Sequence, residues 1–445
     1  MERGVGRSSG EDRISSLPEE LLWLILDSFT LKDVVRTSVL SSRWRYFWLR
    51  VPRLELNISD FPNYDTCVSF LDKFQNGSNL SEFKLNVVRH VLGFKESVFE
   101  PCLSRVLKHK IQRFEVVNRM YWIQLIPLTL SVCEALVCIR LHMVRLNDFG
   151  SLSLPCLKIM HLEYVQFPTN DAVVMLVSCS PVLEELVIIS NRTTDDVGDI
   201  RVYSKSLKSL SLTLCGSISN VPYGEAVVID APRLKYLSLN GCHCRNCKIT
   251  NMGASIKVDI DVTFDSTDNN LWQRSIVHNF FNNFSCAGEM IISWDTLMCI
   301  QINRDFNPLP KFHDMSRLCV SMPSEASPKL VPSVLESCPN LKYLTMKLLP
   351  YSIEEEKSGP PPAVLPRCLV SSLESVDIES PITRKATELK LVRYFLENSA
   401  TLKKLALRLD HERTRNKHKR GVLKQLFEIP RRSNLCQFVI LKTTH

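Results

Sequence analysis

No stretch of the 445 residues reaches the roughly 18 uninterrupted apolar positions that a membrane-spanning helix requires. The richest run, Ile123 to Ile139, is interrupted by Gln124, Pro127 and Glu134. The opening residues, Met1 to Arg13, are polar and charged and carry no apolar segment of the kind a secretory signal needs. No membrane association is therefore expected, and the cytoplasm, the nucleus or both are the expected compartments. Glycine is scarce, 14 in all, and hydrophobic residues make up 45%, so most of the chain should be folded. Phosphate-cradling glycine loops of the G-x-G-x-x-G and Walker types are missing, as are G-x-S-x-G and H-E-x-x-H. Cys and His are plentiful, yet none stands in a recognised nucleophile motif, so no catalytic residues, cofactor or metal are expected. A net charge of +8 is modest for this length and does not call for nucleic acid.

Sixteen cysteines without a signal segment read as reduced thiols. Several lie in apolar surroundings (Cys138, Cys156, Cys319), where a small apolar side chain suits a core. The run Cys242-His243-Cys244-Arg245-Asn246-Cys247 packs its soft ligands into six residues. Structural zinc sites draw ligand pairs from separated segments, so this run reads instead as a repeat turn following Leu239.

The densest signal runs from Ile14 to Leu49. Ser16-Leu17-Pro18-Glu19 has the form of a capping box, with Pro18 in the first turn, where a missing N–H is harmless. Leu21, Leu22, Ile25, Leu26 and Phe29 follow at helical spacing, and Trp23 and Leu24 make the helix apolar on more than one side. Thr30 to Asp33 repeats the capping logic for a helix bearing Val34, Val35, Ser38 and Val39. Ser41 or Ser42 opens a third, with Trp44, Phe47 and Trp48 on one face. A unit of about 40–50 residues cannot bury this much apolar surface by itself. Two indoles and a first helix apolar on both faces imply docking on another surface.

Leu17-Pro18-Glu19-Glu20-Leu21-Leu22, Ile25-Leu26, Lys32-Asp33-Val34-Val35, Thr37-Ser38-Val39-Leu40-Ser41 and Arg43-Trp44-Arg45, in this order, closely resemble the F-box in the version found in large plant families. The resemblance spans roughly Asp12 to Pro52. It implies docking on a Skp-family adaptor and, through it, on a cullin scaffold. By position it implies an adaptor contact set of Leu17, Pro18, Leu21, Leu22, Ile25, Val34, Val35, Leu40 and Trp44. The family has Leu-Pro-Thr where this chain reads Phe29-Thr30-Leu31, and loss of that proline is expected to loosen the turn between the first two helices.

Behind this segment an L-x-x-L-x-L pattern recurs, with other apolar residues allowed: Leu80-Phe83-Leu85, Ile111-Phe114-Val116, Leu136-Ile139-Leu141, Leu157-Met160-Leu162, Leu183-Leu186-Ile188, Leu207-Leu210-Leu212, Leu234-Leu237-Leu239 and Leu341-Leu344-Met346. From Leu80 to Leu234 the starts are 31, 25, 21, 26, 24 and 27 residues apart, close to the leucine-rich-repeat period of about 20–29. Four units share a lead-in with proline two residues before the first leucine, at Pro155, Pro181, Pro232 and Pro339. Between Leu239 and Leu341 the register fades. Ile256, Val258, Ile260 and Val262 alternate as a strand does, Leu318 to Met322 allows another, and the 107 residues from Leu234 to Leu341 fit four irregular units. Residues flanking the core leucines should line a concave face, and Arg140, His142, His161, Glu163, Tyr236 and Tyr343 are the candidates there for binding a protein substrate.

Gly359-Pro360-Pro361-Pro362 reads as a linker, and Glu354-Glu355-Glu356 and the basic run Arg413 to Arg420 as solvated loops. After the linker, Pro366-x-Cys368-Leu369-x-Ser371-Ser372-Leu373-x-x-Val376, Val392-x-Tyr394-Phe395-Leu396-Glu397-Asn398 and Pro430-Arg431-x-Ser433-x-x-Cys436 resemble the FBD domain of plant F-box/leucine-rich-repeat proteins, across about Pro362 to Leu441. Ser380-Pro381-Ile382-Thr383 stands where that family has a glycine-containing turn. With Leu373 and Leu402 29 residues apart, the segment reads as two more strand–helix units closing the array.

The expected fold is therefore α/β. A disordered stretch (1–11) precedes a three-helix F-box (12–55), a leucine-rich-repeat solenoid (56–358) with helices or loops on its convex side, and an FBD cap (359–445). The resemblance implies a non-catalytic substrate-recognition subunit of a ubiquitin ligase. The alternative is a scaffold, or a receptor assisted by a small molecule, that does not direct degradation.

Overall fold

The computed structural model describes residues 14, 16–26, 29–75, 80–88, 96–107, 110–119, 125–191, 200–215, 226–243, 246–263, 271–303, 309–323, 327–349, 365–380, 386–409 and 428–442. The expected disordered start, the Gly359–Pro362 linker, the Glu354–Glu356 run, the basic run Arg413–Arg420 and the loop at Pro381–Thr383 lie outside these residues. The chain divides into two compact units, Met1–Leu183 and Glu184–His445.

The first unit begins with α1 (Glu19–Leu26) and α2 (Leu31–Arg36), then 3-10 turns at Thr37–Val39 and Trp44–Arg50. Pro18 stands just ahead of α1, and its carbonyl accepts from the Leu21 and Leu22 N–H groups at 3.2 Å each. Of the turn expected to be loose, Asp27 and Ser28 lie outside the described residues, and what is seen is the start of α2. Thr30 caps α2 by accepting from the Asp33 N–H, while its hydroxyl donates to the Asp33 carboxylate at 2.7 Å. This side-chain cap fixes the first turn of α2. The third helix is 3-10 rather than α. The Trp48 indole N–H donates to the Arg45 carbonyl at 3.2 Å and so competes for an acceptor of the ordinary helical ladder.

The Thr30 hydroxyl, and after it Arg36, holds the Asp33 carboxyl below the usual aspartate range. A depressed folded-state pKa means this contribution is full at neutral pH and fades as pH falls through that lowered value. Thr30→Ala should cost about 1 kcal/mol of stability in urea melts at pH 7. The difference from wild type should shrink at acidic pH, and a pH-independent difference would contradict the reciprocal cap.

Strands β1 (Arg53–Asn57), β2 (Glu82–Val87), β3 (Arg113–Asn118), β5 (Cys138–His142) and β7 (Ile159–Glu163) pair in that order, all parallel, with a small parallel pair β4 (Ile126–Leu128) and β6 (Val144–Leu146). Returns run through α3 (Tyr64–Gln75), α4 (Glu96–Leu107) and α5 (Ala172–Ser178).

The second unit has β8 (Glu185–Asn191), β10 (Ser209–Cys215), β12 (Tyr236–His243), β14 (Ile256–Thr263), β15 (Ala287–Ile292), β16 (Arg317–Pro323), β17 (Tyr343–Leu349), β18 (Ser375–Ser380), β19 (Lys404–Leu409) and β20 (Gln437–Lys442), again parallel in this order. Its returns correct one expectation. The first are strands rather than helices or loops: β9 (Ile200–Tyr203), β11 (Ala226–Ala231) and β13 (Asn246–Met252) form a second parallel sheet. β-Branched residues at alternating buried positions, such as Ile200 with Val202 and Val227 with Ile229, favour that choice. Helical returns resume with α6 (Leu271–Asn282), α7 (Trp294–Asn303), α8 (Ser327–Glu336), α9 (Arg367–Ser371) and α10 (Ala386–Asn398).

Every residue of the eight L-x-x-L-x-L patterns is buried. The proline lead-in is a β-turn. The N–H groups of Leu157, Leu183, Leu234 and Leu341 donate to the carbonyls of Leu154, Ser180, Ala231 and Cys338, and proline holds the second position in each turn. The same bond recurs without proline from Ala287 to Phe284 and from Met315 to Phe312. Those turns supply the register that fades in the sequence: β14, β15 and β16 lie between β12 and β17, making four units of the 107 residues. β12 carries a bulge at Gly241, which has φ +64° and where a Cβ would meet the Leu214 carbonyl oxygen, so glycine is required there. Of the Cys242–Cys247 run, Cys242 and His243 end β12 and Asn246 and Cys247 open β13, while Cys244 and Arg245 lie outside the described residues. Cys138 is buried as expected, but Cys156 is exposed because it is the third residue of a lead-in turn, and Cys319 is half-buried. Burial pushes the Cys67 and Cys368 thiols up to about 12. No helix among the described residues is long and apolar enough to cross a membrane.

Candidate functional site

Two kinds of surface deserve a functional reading, one on the helical segment and one on the strand faces opposite the returns. On α1, Leu22 and Leu26 point inward one turn apart, whereas Leu21, Leu24 and Ile25 stay exposed. Phe29, Val39, Leu40 and Tyr46 are exposed as well, with Val39 86% and Leu40 61% exposed. This concentration of large apolar side chains on one short segment marks an interaction surface.

The nine positions expected to contact an adaptor divide into two groups. Pro18, Leu21, Ile25 and Leu40 are exposed and Leu17 and Val35 half-buried, so all six are available to a partner. Leu22, Val34 and Trp44 are 0–3% exposed and form the inside of the segment. Of the two indoles, Trp44 is buried and half-buried Trp48 stacks on Phe70 of α3, ring centroids 5.2 Å apart. Amphipathic spacing picks out these side chains but does not say which of them the segment buries itself.

On the first unit's open face, charges of alternating sign stand side by side in register. Arg53 pairs with Glu82 at 3.2 Å, and Lys84 lies 3.3 Å from Glu115 and 4.0 Å from Glu55. These exposed pairs contribute little stability, but they leave β1 to β3 largely self-neutralised. Arg140, His142, His161 and Glu163 occupy β5 and β7 beyond this ladder, with Arg140 opposite His161 and His142 opposite Glu163. Arg140 is exposed, while His161 and Glu163 are half-buried. The His142 ring is committed internally, with Nδ1 2.7 Å from the carbonyl oxygen of buried Asn118 and its edge on Tyr164.

In the second unit Tyr236 and Tyr343 share the open face but not a neighbourhood, since β14, β15 and β16 separate them. Tyr343 carries the Arg317 guanidinium over its ring at 4.2 Å. Between them stand charged residues that the sequence reading passed over: Lys257, Asp259, Asp261 and Glu289. The alternation of Ile256, Val258, Ile260 and Val262 already contained the signal, because the interleaved residues must face the other way. Lys257 is held by Glu289 at 2.7 Å. Arg408 binds Asp377 through two nitrogens and reaches Glu379 at 3.7 Å. The carboxylates of Asp259 and Asp261 have no hydrogen bond or ion pair among the described residues. Burial, and then the neighbouring Asp261, raise the Asp259 carboxyl above the usual range, while Lys257 and Lys347 oppose the shift.

A short helical segment with an apolar surface, followed by stacked parallel-strand repeats with a polar open face, defines a leucine-rich-repeat protein carrying an N-terminal docking module. Family models agree along the chain: F-box domain at residues 14–56, the LRR repeats of FBD-associated F-box protein At5g56370 at 100–260, and FBD at 361–407. Among curated proteins of Arabidopsis thaliana, F-box/FBD/LRR-repeat protein At5g18770 is 52% identical over 97% of this chain and 92% of its own length. FBD-associated F-box protein At5g18780 is 49% identical over 99% of this chain and all of its own. The chain belongs to the F-box/FBD/LRR-repeat family.

Proposed function

We propose that this protein is the substrate-recognition subunit of an SCF-type cullin-RING ubiquitin ligase. The observation that carries the reading is the exposed apolar surface of α1 and the following turns, lying where the F-box model matches. That surface binds a Skp-family adaptor and through it a cullin, while the repeats bind a target protein. The chain supplies no catalytic group. It holds the target near a charged thioester carried by the other subunits, raising its effective concentration there. The complex works in the cytoplasm, the nucleus or both, and needs neither membrane nor nucleic acid.

The test is purification of the full chain from plant cells. Cullin should co-purify, and ubiquitin should be transferred to a protein held by the repeats. That protein should accumulate, unmodified, on a variant unable to bind the adaptor. A bound protein that is never ubiquitinated, with cullin absent, would favour the scaffold role instead.

A further inference from the structure

At their N-terminal ends, β16, β17, β18 and β19 present more positive than negative charge. Arg317, Tyr343, Ser375 and Lys404 stand in one register row, one from each strand. At the rim just ahead of that row Lys342, Glu374 and Lys403 are neighbours. The Glu374 N–H donates to the Lys342 carbonyl and the Lys403 N–H to the Glu374 carbonyl. Four cations thus share a single carboxylate. Glu374 is taken by Lys403 at 2.9 Å, and Lys403, then Lys342, hold its carboxyl below the usual glutamate range. The carboxylates nearby are occupied as well: Asp377 and Glu379 bind Arg408, and on β15 Glu289 binds Lys257. Arg317 and Lys404 are exposed, and neither has an ion-pair partner among the described residues. Arg317 is nevertheless held in place, because its guanidinium lies over the Tyr343 ring at 4.2 Å. A guanidinium fixed in this way keeps N–H donors for a carboxylate.

We infer that this end of the open face takes an extended acidic segment of the target protein, crossing β16 to β19 with one carboxylate at Arg317 and a second at Lys404. The inference rests on the reading that the repeats bind a target, and it names the chemistry of that target. Charge complementarity carries it. With one carboxylate among four cations, an acidic partner neutralises the excess positive charge and a basic partner would increase it. Spacing favours two carboxylates over one phosphate group. Three strand intervals of about 4.8 Å put Arg317 and Lys404 about 14 Å apart, and an extended chain carries side chains i and i+4 on one face about 13 Å apart. Between the two cations Ser375 is small and Tyr343 exposed, so the segment can approach over the first and pack on the second. Arg and Tyr are also residue types that dominate binding energy at protein interfaces.

The test uses the full chain and synthetic peptide pools about ten residues long, randomised except at positions i and i+4. Pools with Glu at both positions should be retained about tenfold better than pools with Gln at both, the scale expected for a charge pair at an interface. Pools with Lys at both should be retained least. Arg317→Gln with Lys404→Gln should abolish the Glu preference, and Arg317→Glu with Lys404→Glu should transfer it to the Lys pool. The reversal keeps the result readable, since a misfolded protein loses retention but does not change its choice. Tyr343→Phe should keep the Glu preference, whereas Tyr343→Leu should reduce it about threefold by freeing the guanidinium. Equal retention of all pools, no retention of any, or a Glu preference that survives the double Gln variant would overturn the assignment. A pool bearing one phosphoserine and retained better than the paired-Glu pool would overturn it too, in favour of a phosphate site. Cullin co-purification and ubiquitin transfer are measured without any substitution at Arg317 or Lys404, so failure there would remove the ligase reading and leave the sorting of the pools intact.

Discussion

Replacing Leu17 and Pro18 together by alanine is expected to abolish pull-down of the Skp-family adaptor while leaving the parallel sheets folded. Pro18 is exposed and Leu17 half-buried at the edge of α1, so neither belongs to the inner layer of Leu22, Leu26, Val34 and Trp44. Burying a leucine side chain at an interface is worth roughly 1.5–3 kcal/mol. With the proline ring also removed, affinity should fall roughly a hundredfold or more. The exposed neighbours allow an independent check: Leu40→Asp puts a charge on a residue 61% open to solvent, and should prevent docking without lowering the thermal midpoint. Trp44→Ala should do the opposite first, destabilising the segment by roughly 3–5 kcal/mol, because its indole is buried inside the segment. Undiminished pull-down by the Leu17/Pro18 variant, measured with the purified adaptor, would remove the adaptor assignment.

That separation of inner from outer residues is also where sequence reading stopped. Periodicity identifies the residues of α1 that share a side, but Leu21, Leu22 and Ile25 are all apolar, and only packing shows that Leu22 turns inward. In the repeats the apolar pattern was sufficient wherever leucine and a proline turn coincided. It failed from Leu239 to Leu341 because the turns there are closed by Ala287 and Met315, led by Phe284 and Phe312, with no proline beside them. Once that stretch lost its register, the residues facing the open side lost their positions too, and Lys257, Asp259 and Asp261 went unread. Returns formed by strands, as at β9, β11 and β13, were illegible for another reason. Alternating apolar residues there carry the same signal as the main strands, and a sequence does not say which sheet an alternating segment joins.

Phe114→Ala should have a large effect on stability, and its effect should be local. Phe83 and Phe114 face each other in register across β2 and β3, with ring centroids 5.5 Å apart and planes 21° from parallel, and both are at most 2% exposed. Removing a buried phenylalanine leaves a cavity as well as losing apolar contact, a cost of about 3–5 kcal/mol. This approaches the whole stability of a small domain, about 5–15 kcal/mol. In a stacked array each unit contacts only its neighbours, so the loss should concentrate in the adjoining repeats. Hydrogen exchange should therefore lose protection across β1, β2 and β3 while β17, β18 and β19 keep theirs. Uniform loss along the chain, or a cost below about 1 kcal/mol, would contradict the repeat-by-repeat energetics. The functional consequence follows from where those strands lie. β1 begins three residues after the Trp44–Arg50 turn, and Trp48 of that turn stacks on Phe70 of the first return helix. Loosening β1 to β3 thus loosens the seat of the docking segment. A Phe114→Ala protein should still bind the adaptor through its untouched outer residues, yet transfer less ubiquitin, because a loosened seat lowers the effective concentration of the target.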